Sequence, residues 1–250
     1  MTYQQMAYVY DQFMADAPYD KWVTFAEEMF LKSSFNVKDI VDLGCGTGEI
    51  TIKLAEKGYN LTGIDNSPEM LAIAEQKASN KQLQIDWFKQ DLRLLEGLKN
   101  LDVAVSFCDV LNYITTRDEV KQVFQNVANL LREGGLFLFD VHSLYHVENN
   151  MVNQTFADVT DDQSYIWFCE EGKEKGEMYH DLTFFLKNGN CYERFAESHF
   201  QKTLSIDEYQ NYLRAAGFQI NGVYHDFSIQ NDSRCQESER VFFFAEKRSG

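Results

Sequence analysis

The stretch VDLGCGTGEI, Val41 to Ile50, ends an apolar run with an acid, Asp42, and then places Gly44, Gly46 and Gly48 at alternate positions before a helical segment. A strand that enters a glycine-rich turn and opens a helix lets a ligand approach the backbone closely, because glycine has no Cβ and adopts φ > 0. In dinucleotide sites such a turn holds a pyrophosphate on helix N–H groups, with the spacing GxGxxG. Here the spacing is GxGxG, and the carboxylate of Asp42 would oppose a bound diphosphate. The arrangement suits a ligand with a positive charge at this end.

Outward from that loop, short apolar runs alternate with amphipathic stretches. Strands are expected at 40–43, 61–64, 84–88, 101–107 and 136–140, and helices at 49–57, 68–78 and 118–131, with Gly134-Gly135 breaking the last helix before its strand. Strands joined by helices pair in parallel, since a parallel neighbour needs a crossover, so this region reads as a doubly wound α/β sheet. Before it, Trp22, Phe25, Ala26, Met29 and Phe30 recur at the spacing of one helix face, and Asp16 and Pro18 divide that helix from an earlier, tyrosine-rich one. After about Gln154, SYIWFCEEG, KGEMYHDLTFFLKNG and NCYERFAESHFQKTLS are β-rich segments separated by Gly, Asn and Lys turns, which reads as an antiparallel meander. A helix over 205–216 that stops at Gly217, then FQINGVYHDF and RVFFFAEK as two strands, close the chain. The expected division is 1–35 as an N-terminal helical cover, 36–150 with 205–250 as the α/β core, and 151–204 as an antiparallel β insertion.

At 250 residues the chain can bury one sizeable core and carry an inserted subdomain. Hydrophobic residues at 44% and only two prolines mark it as globular rather than disordered. Asp and Glu (39) outnumber Lys and Arg (23), and the formal charge of -16 repels phosphate backbones and anionic membrane surfaces. No basic run offsets this, so nucleic acid is disfavoured as a partner without being excluded. Cys45, Cys108, Cys169, Cys191 and Cys235 form no CxxC pair and no metal-ligand grouping, so they read as reduced thiols in a cytoplasmic protein with no metal. Neither a leader pattern nor an apolar run of roughly 18 residues is present, so no membrane association is expected. A homodimer is left open.

Two further acids follow the glycine loop. Asp65 ends the second strand about 20 residues beyond Gly44, the placement of an acid that accepts from both ribose hydroxyls. Asp91 follows the third strand, where it can accept from an exocyclic amine while the Leu92 N–H meets a ring nitrogen. In a parallel sheet these strand ends share one rim, and ligands bind in the crevice outside it. Asp65 reads equally well as a helix cap in Asp-Asn-Ser-Pro.

Together these residues resemble the class I S-adenosylmethionine-dependent methyltransferases. VDLGCGTG is similar to the first motif of that family, LTGIDNSPEML to the second, KQDL to the third and VSFCDVLNYI to its fourth-strand region. The resemblance implies a Rossmann-like seven-stranded sheet of order 3-2-1-4-5-7-6 with strand 7 antiparallel, and S-adenosylmethionine as cofactor, leaving S-adenosylhomocysteine as product. It assigns the Gly44, Cys45 and Gly46 backbone to the methionine part, Asp42 to the vicinity of its amino group, Asp65 to the ribose, and Asp91 with Leu92 to the adenine. Asn66 and Met70 would flank the adenosine, and Cys108 would face the methionine portion. The stretches YQQMAYVYDQFM and PYDKW are similar to the helical cover of small-molecule methyltransferases, with Tyr3, Tyr10 and Trp22 closing over the cofactor, although these aromatics read equally well as core.

Methyl transfer from a sulfonium needs positioning and exclusion of water more than a catalytic nucleophile. The implied reaction is an in-line displacement onto an N or O atom of a small-molecule acceptor. Because the insertion follows the fifth strand on the ligand rim, it is expected to roof the acceptor site. Tyr113, after the fourth strand, and His142, after the fifth, are the best placed candidates for acceptor contact or base chemistry. His146, His180 and His199 are weaker candidates. A tRNA-modifying enzyme and a noncatalytic nucleoside-binding protein remain as alternatives.

Overall fold

In a computed structural model of the chain, Asp11 and residues 17–230 and 237–248 are described. Helix α1 (Tyr19–Phe30) leads into β1 (Asp39–Leu43), α2 (Glu49–Glu56), β2 (Asn60–Asp65), α3 (Pro68–Asn80), β3 (Asp86–Lys89), β4 (Leu101–Ser106), α4 (Arg117–Leu130) and β5 (Leu131–His142). Four consecutive strands follow, β6 (Gln154–Val159), β7 (Gln163–Glu171), β8 (Glu177–Asn188) and β9 (Cys191–Lys202), and then α5 (Ile206–Ala215), β10 (Phe218–His225) and β11 (Arg240–Lys247). None of the described helices is long and apolar enough to cross a membrane.

The main sheet has seven strands in the order β10-β11-β5-β4-β1-β2-β3. Strands β1 to β5 pair in parallel, and β11 pairs antiparallel with both β5 and β10. Counted along the sheet, that is the order and the reversed last strand expected of the family resembled. The long apolar runs of its central strands follow from burial on both faces. Ile40, Val103, Leu136, Leu138, Phe242 and Phe244 pack beneath α1 and α2, while Val41, Ala104, Phe137, Phe139 and Phe243 pack beneath α4 and α5. Phe139 and Phe243 stack at 4.7 Å across the antiparallel pair.

The structure corrects three boundaries. Gly134-Gly135 does not break the helix: α4 already ends at Leu130, and the glycines lie inside β5, where the pairing with β4 jumps from Leu101↔Leu131 to Val103↔Leu136. The extra residues bulge out there, and a Cβ on Gly135 would stand 2.9 Å from the Arg132 carbonyl. Strand β3 is an edge strand with little burial, and it runs to Lys89 rather than stopping at Phe88. The meander contains a strand before its first quoted segment, since β6 pairs with β7 to complete a separate four-stranded antiparallel sheet. That strand carries Asp158 and Ala157 among its six residues and is exposed along most of its length, so its apolar signal is weak.

Two features join the second sheet to the first. Lys202, at the end of β9, is buried and reaches Glu174 at 2.5 Å and Glu177 at 3.1 Å, and Glu174 also meets Arg117 of α4 at 3.3 Å, which ties the open end of the β8–β9 hairpin to the main domain. Asn112, fully buried in the 3₁₀ turn Val110–Tyr113, donates Nδ2 to the Lys202 carbonyl at 3.1 Å and accepts from the His142 N–H at 3.0 Å. The insertion is thereby fastened at the C-terminal ends of β4 and β5.

Candidate active site

The loop after β1 takes left-handed backbone at Gly44 (φ 79°), Gly46 (φ 54°) and Gly48 (φ 82°). At Gly44 there is no room for a side chain, because a Cβ would lie 2.3 Å from Val110 Cγ1; at Gly46 a Cβ would meet nothing within 4 Å among the described residues. The loop's donors turn inward. Gly44 and Cys45 both donate to the Ile64 carbonyl, at 2.7 and 3.0 Å, and Gly48 donates to the Cys45 carbonyl at 2.9 Å. The Gly46 N–H goes to Asp65 Oδ2 at 2.8 Å. With these four N–H groups engaged, the glycines themselves form no nest for phosphate, and what they turn toward a ligand is carbonyl oxygen and bare Cα.

Asp42 lies under the loop, buried, accepting from Thr51 Oγ1 of α2 at 2.6 Å. Burial pushes its pKa up to about 7, against the lowering effect of the Thr51 hydrogen bond, with Asp65 adding to the rise. Asp65 is half-buried and links two loops, since Oδ1 accepts from the Ser67 N–H at 2.8 Å while Oδ2 holds Gly46. Its pKa is raised by burial and drawn back by the Ser67, Gly46 and Asn66 N–H groups. The cap of α3 is Ser67, which accepts from the Met70 N–H at 3.2 Å, so Asp65 is free of that duty. Asn66 is exposed and Met70 half-buried beside it on the rim.

Asp91 meets an unexpected neighbour. It receives Arg93 Nε at 2.9 Å and Nη2 at 2.5 Å and caps the 3₁₀ turn Leu92–Leu94, whose Leu92 side chain is buried. Arg93 holds its carboxyl below the usual range. Cys45 and Cys108 are both half-buried, and burial, followed by Asp42 and Asp65 for the first and Asp140 and Asp109 for the second, pushes each thiol well up. Neither is poised as a thiolate.

The cover over this rim begins with Asp11, which accepts from Thr47 Oγ1 at 2.5 Å and pairs with Lys77 at 2.5 Å. Tyr19 of α1 is near Cys108, Glu49 and Asp11, and burial first, then those groups, push its phenol well up. Trp22 is buried and donates Nε1 to Asp140 Oδ1 at 3.1 Å, with Phe227 edge-on at 4.8 Å. Tyr3 and Tyr10 lie outside the described residues.

Segment 40–135 matches the model of a methyltransferase domain. The solved structure of an S-adenosylmethionine-dependent methyltransferase from Clostridium acetobutylicum ATCC 824 superposes on 99% of both chains with a TM-score of 0.89 and 29% identity. YqeM of Bacillus subtilis (strain 168), provisionally named a methyltransferase, is 43% identical over 99% of this chain and 98% of its own. The chain belongs to the class I S-adenosylmethionine-dependent methyltransferases. A Geobacillus sp. (strain WCH70) protein, named in the same provisional way, is 41% identical to this methyltransferase over 99% of the chain and 100% of its own length.

S-adenosylmethionine fits the groups described above: a loop whose Gly44, Cys45, Gly46 and Gly48 N–H groups are engaged and which carboxylates rim suits an ammonium and a sulfonium better than a phosphate.

Beyond the glycine loop, the methyltransferase carries a buried polar network that sequence reading missed. Cys108 and Asp109 are consecutive left-handed residues (φ 60° and 54°), a conformation that costs on the order of 1–3 kcal/mol per non-glycine residue. Cys108 is held by donating its N–H to Asp140 Oδ1 at 2.8 Å. Arg240, from β11, donates Nη2 to Asp109 at 2.8 Å and Nη1 to Asp140 Oδ2. Burial raises Asp140, with Arg240 opposing; Asp109 would rise by burial too, but the His142 and Arg240 charges hold it well below the usual range. From the insertion, Trp167 Nε1 donates to His180 Nδ1 at 3.0 Å, His180 Nε2 meets Gln201 Oε1 at 3.1 Å, and Gln201 Nε2 donates to Asp109 Oδ2 at 3.1 Å. Burial pushes the pKa of His180 down to about 4, against the raising effect of the Gln201 bond. The one sequence signal for the network was Asp140, an acid inside the otherwise apolar run LFLFDVH.

The two acceptor candidates both border Asp109. His142 is largely buried, with Nε2 3.6 Å from Asp109 Oδ2, its ring stacked on His146 at 5.5 Å, and Nδ1 enclosed without a hydrogen-bond partner among the described residues. Tyr113 is 49% exposed, and its ring meets His199 edge-on at 5.9 Å. The crowding around its hydroxyl, then Asp109 and Glu197, push its phenol up.

Proposed function

We propose that this methyltransferase acts on an N or O atom of a small-molecule acceptor, held between the C-terminal rim of the main sheet and the four-stranded insertion. The observation that carries this reading is the 3.1 Å bond from Gln201 of β9 to Asp109, which seats the insertion next to Cys108 at the end of β4. The formal charge of -16 disfavours a polyanion and so favours a small molecule over nucleic acid.

The bound cofactor supplies an electrophilic methyl on a sulfonium, which leaves as S-adenosylhomocysteine after an in-line displacement. Gly44, Cys45 and Gly46 would hold the amino-acid end through backbone, with Asp42 beneath it. Asp65 would accept from ribose hydroxyls with the lone pairs that Gly46 and Ser67 leave free, and Asn66, Met70, Asp91 and Leu92 would flank the adenosine. Cys108 would face the methionine portion as a small, protonated lining residue, and Trp22 with Tyr19 would close the opposite side. The residues then contribute orientation and a dry cleft, in which an amine acceptor is biased toward its neutral, nucleophilic form.

Transfer of tritium from methyl-labelled S-adenosylmethionine to a panel of amines, alcohols and bulk tRNA tests this reading. Label in a small amine or alcohol is expected. Label in tRNA alone would overturn it, and cofactor binding without transfer to any acceptor would favour a noncatalytic protein.

A further inference from the structure

Polar groups outside the cofactor end of the cleft gather on the far side of Asp109. Strand β9 presents Glu197, His199 and Gln201 on one face, since alternate residues of a strand point the same way. Gln201 is seated on Asp109, so this face continues from the residue after Cys108. One step along, His199 Nε2 stands 2.9 Å from Glu197 Oε2, and its ring meets Tyr113 edge-on at 5.9 Å. Nδ1 of His199 forms no hydrogen bond among the described residues. The His199 side chain remains 32% accessible, against 12% for His142. A carboxylate on one imidazole nitrogen selects the tautomer with a lone pair on the other, and it stabilises the imidazolium formed when that lone pair takes a proton.

Charge points to the class of acceptor. Facing His199 are Glu197 from its own strand, His180 opposite it on β8 and Tyr113 from the turn after β4, with Asp109, His142, Asp140 and Arg240 behind them. Asp109 and Asp140 share one guanidinium, Arg240, while Glu197 has only His199 as an ion-pair partner among the described residues. An excess of negative charge in a partly closed cleft favours a cation over a neutral hydroxyl.

We propose that the acceptor is an amine that enters as its ammonium, and that His199, held by Glu197, takes its proton. This rests on the reading of the insertion as the roof of a small-molecule site. One proton passes from the ammonium to Nδ1 of His199, which becomes an imidazolium beside Glu197. The freed nitrogen lone pair forms the N–C bond to the methyl carbon as the C–S bond breaks, and the electrons of that bond stay on sulfur. The product leaves as an N-methylammonium, and His199 afterwards returns its proton to water.

Sinefungin provides a test that needs no known acceptor, because it carries an amine where the sulfonium bears its methyl. Calorimetry on the full chain would compare sinefungin with S-adenosylhomocysteine from about pH 5.5 to about pH 8.5, spanning the imidazole range. In the wild type the affinity ratio should fall about tenfold as pH is lowered, since the imidazolium of His199 repels the ammonium. His199→Asn should abolish that dependence at unchanged S-adenosylhomocysteine affinity, and Glu197→Gln should lower the ratio several-fold at neutral pH. A dependence retained in His199→Asn with normal S-adenosylhomocysteine binding overturns the proposal. Nitrogen-15 spectra of the unmutated chain check it without any variant: hydrogen on Nε2 of His199 supports it, and hydrogen on Nδ1 overturns it. Labelling of bulk tRNA alone would count against the small-molecule reading, and is told apart from failure of His199 because the sinefungin dependence and its loss in His199→Asn would persist.

Discussion

Asp109, just past the end of β4, and Arg240, the first residue of β11, stand 131 positions apart in the chain, yet Arg240 Nη2 donates to Asp109 Oδ1 at 2.8 Å. The other arm of the same guanidinium serves Asp140 of β5, so one cation holds a fully buried carboxylate, Asp140, and a half-buried one, Asp109, where β4 and β5 end and β11 begins. The left-handed Cys108–Asp109 turn depends on that arrangement, because Cys108 is fixed by Asp140.

Removing the cation leaves the fully buried Asp140 without a charged partner, and Asp109 with only Gln201 and His142 beside it. Arg240→Met should destabilise the fold by about 3–5 kcal/mol in urea unfolding, and adding Asp140→Asn should recover part of the loss. A change below about 1 kcal/mol would mean that the carboxylates find water after all.

Gly44 and Gly46 should respond differently to the same substitution. Gly44→Ala combines left-handed backbone with a clash on Val110, and should cost about 2–4 kcal/mol of stability. Gly46→Ala meets no atom among the described residues and should cost about 1 kcal/mol, while weakening S-adenosylhomocysteine binding because the methyl projects from the loop. Paired unfolding and calorimetric measurements separate the two; equal stability losses would contradict the geometry.

Asp42 makes cofactor-free stability depend on pH in an unusual direction. Its folded pKa of about 7 lies above the unfolded value of about 3.9, so the folded chain retains a proton that the unfolded chain has released between those two values. Stability should therefore fall as pH rises through that window. Asp42→Asn keeps an acceptor for Thr51 and abolishes the titration, so its advantage over wild type should grow by about 2–4 kcal/mol from about pH 4 to about pH 8. A pH-independent difference in unfolding midpoints would rule this out.

Asp65→Ala should weaken S-adenosylhomocysteine binding by about 1–3 kcal/mol, through lost ribose hydrogen bonds and a loosened Gly46. Unchanged affinity by calorimetry would remove Asp65 from the site.

Local pattern carried most of the fold. The switch from helix-linked strands to a meander after β5 was visible because periodicity is a property of neighbouring residues, and the order of the main sheet followed from the resemblance of the glycine loop and its acids. Where local pattern was thin, the reading slipped: β6 is mostly exposed and carries little apolar signal, and Gly134-Gly135 looks like a helix stop although it serves a bulge. At the rim, the sequence placed Asp42, Asp65 and Asp91 at strand ends but gave no sign that Asp91 is met by Arg93 or that the loop's N–H groups turn inward.

Sequence alone determined the methyl donor, since the spacing of Gly44, Gly46 and Gly48 and the acids around them lie within about fifty consecutive residues and act through backbone that any such chain would form. Tertiary structure alone decided what lies opposite. Asp109, Arg240, Gln201, Glu197 and His199 come from β4, β9 and β11 and share no motif, and their chemistry exists only because an antiparallel last strand and a folded-back insertion deliver them to one rim. Charge pairing and proton affinity depend on distance in space, which separation along a chain does not encode.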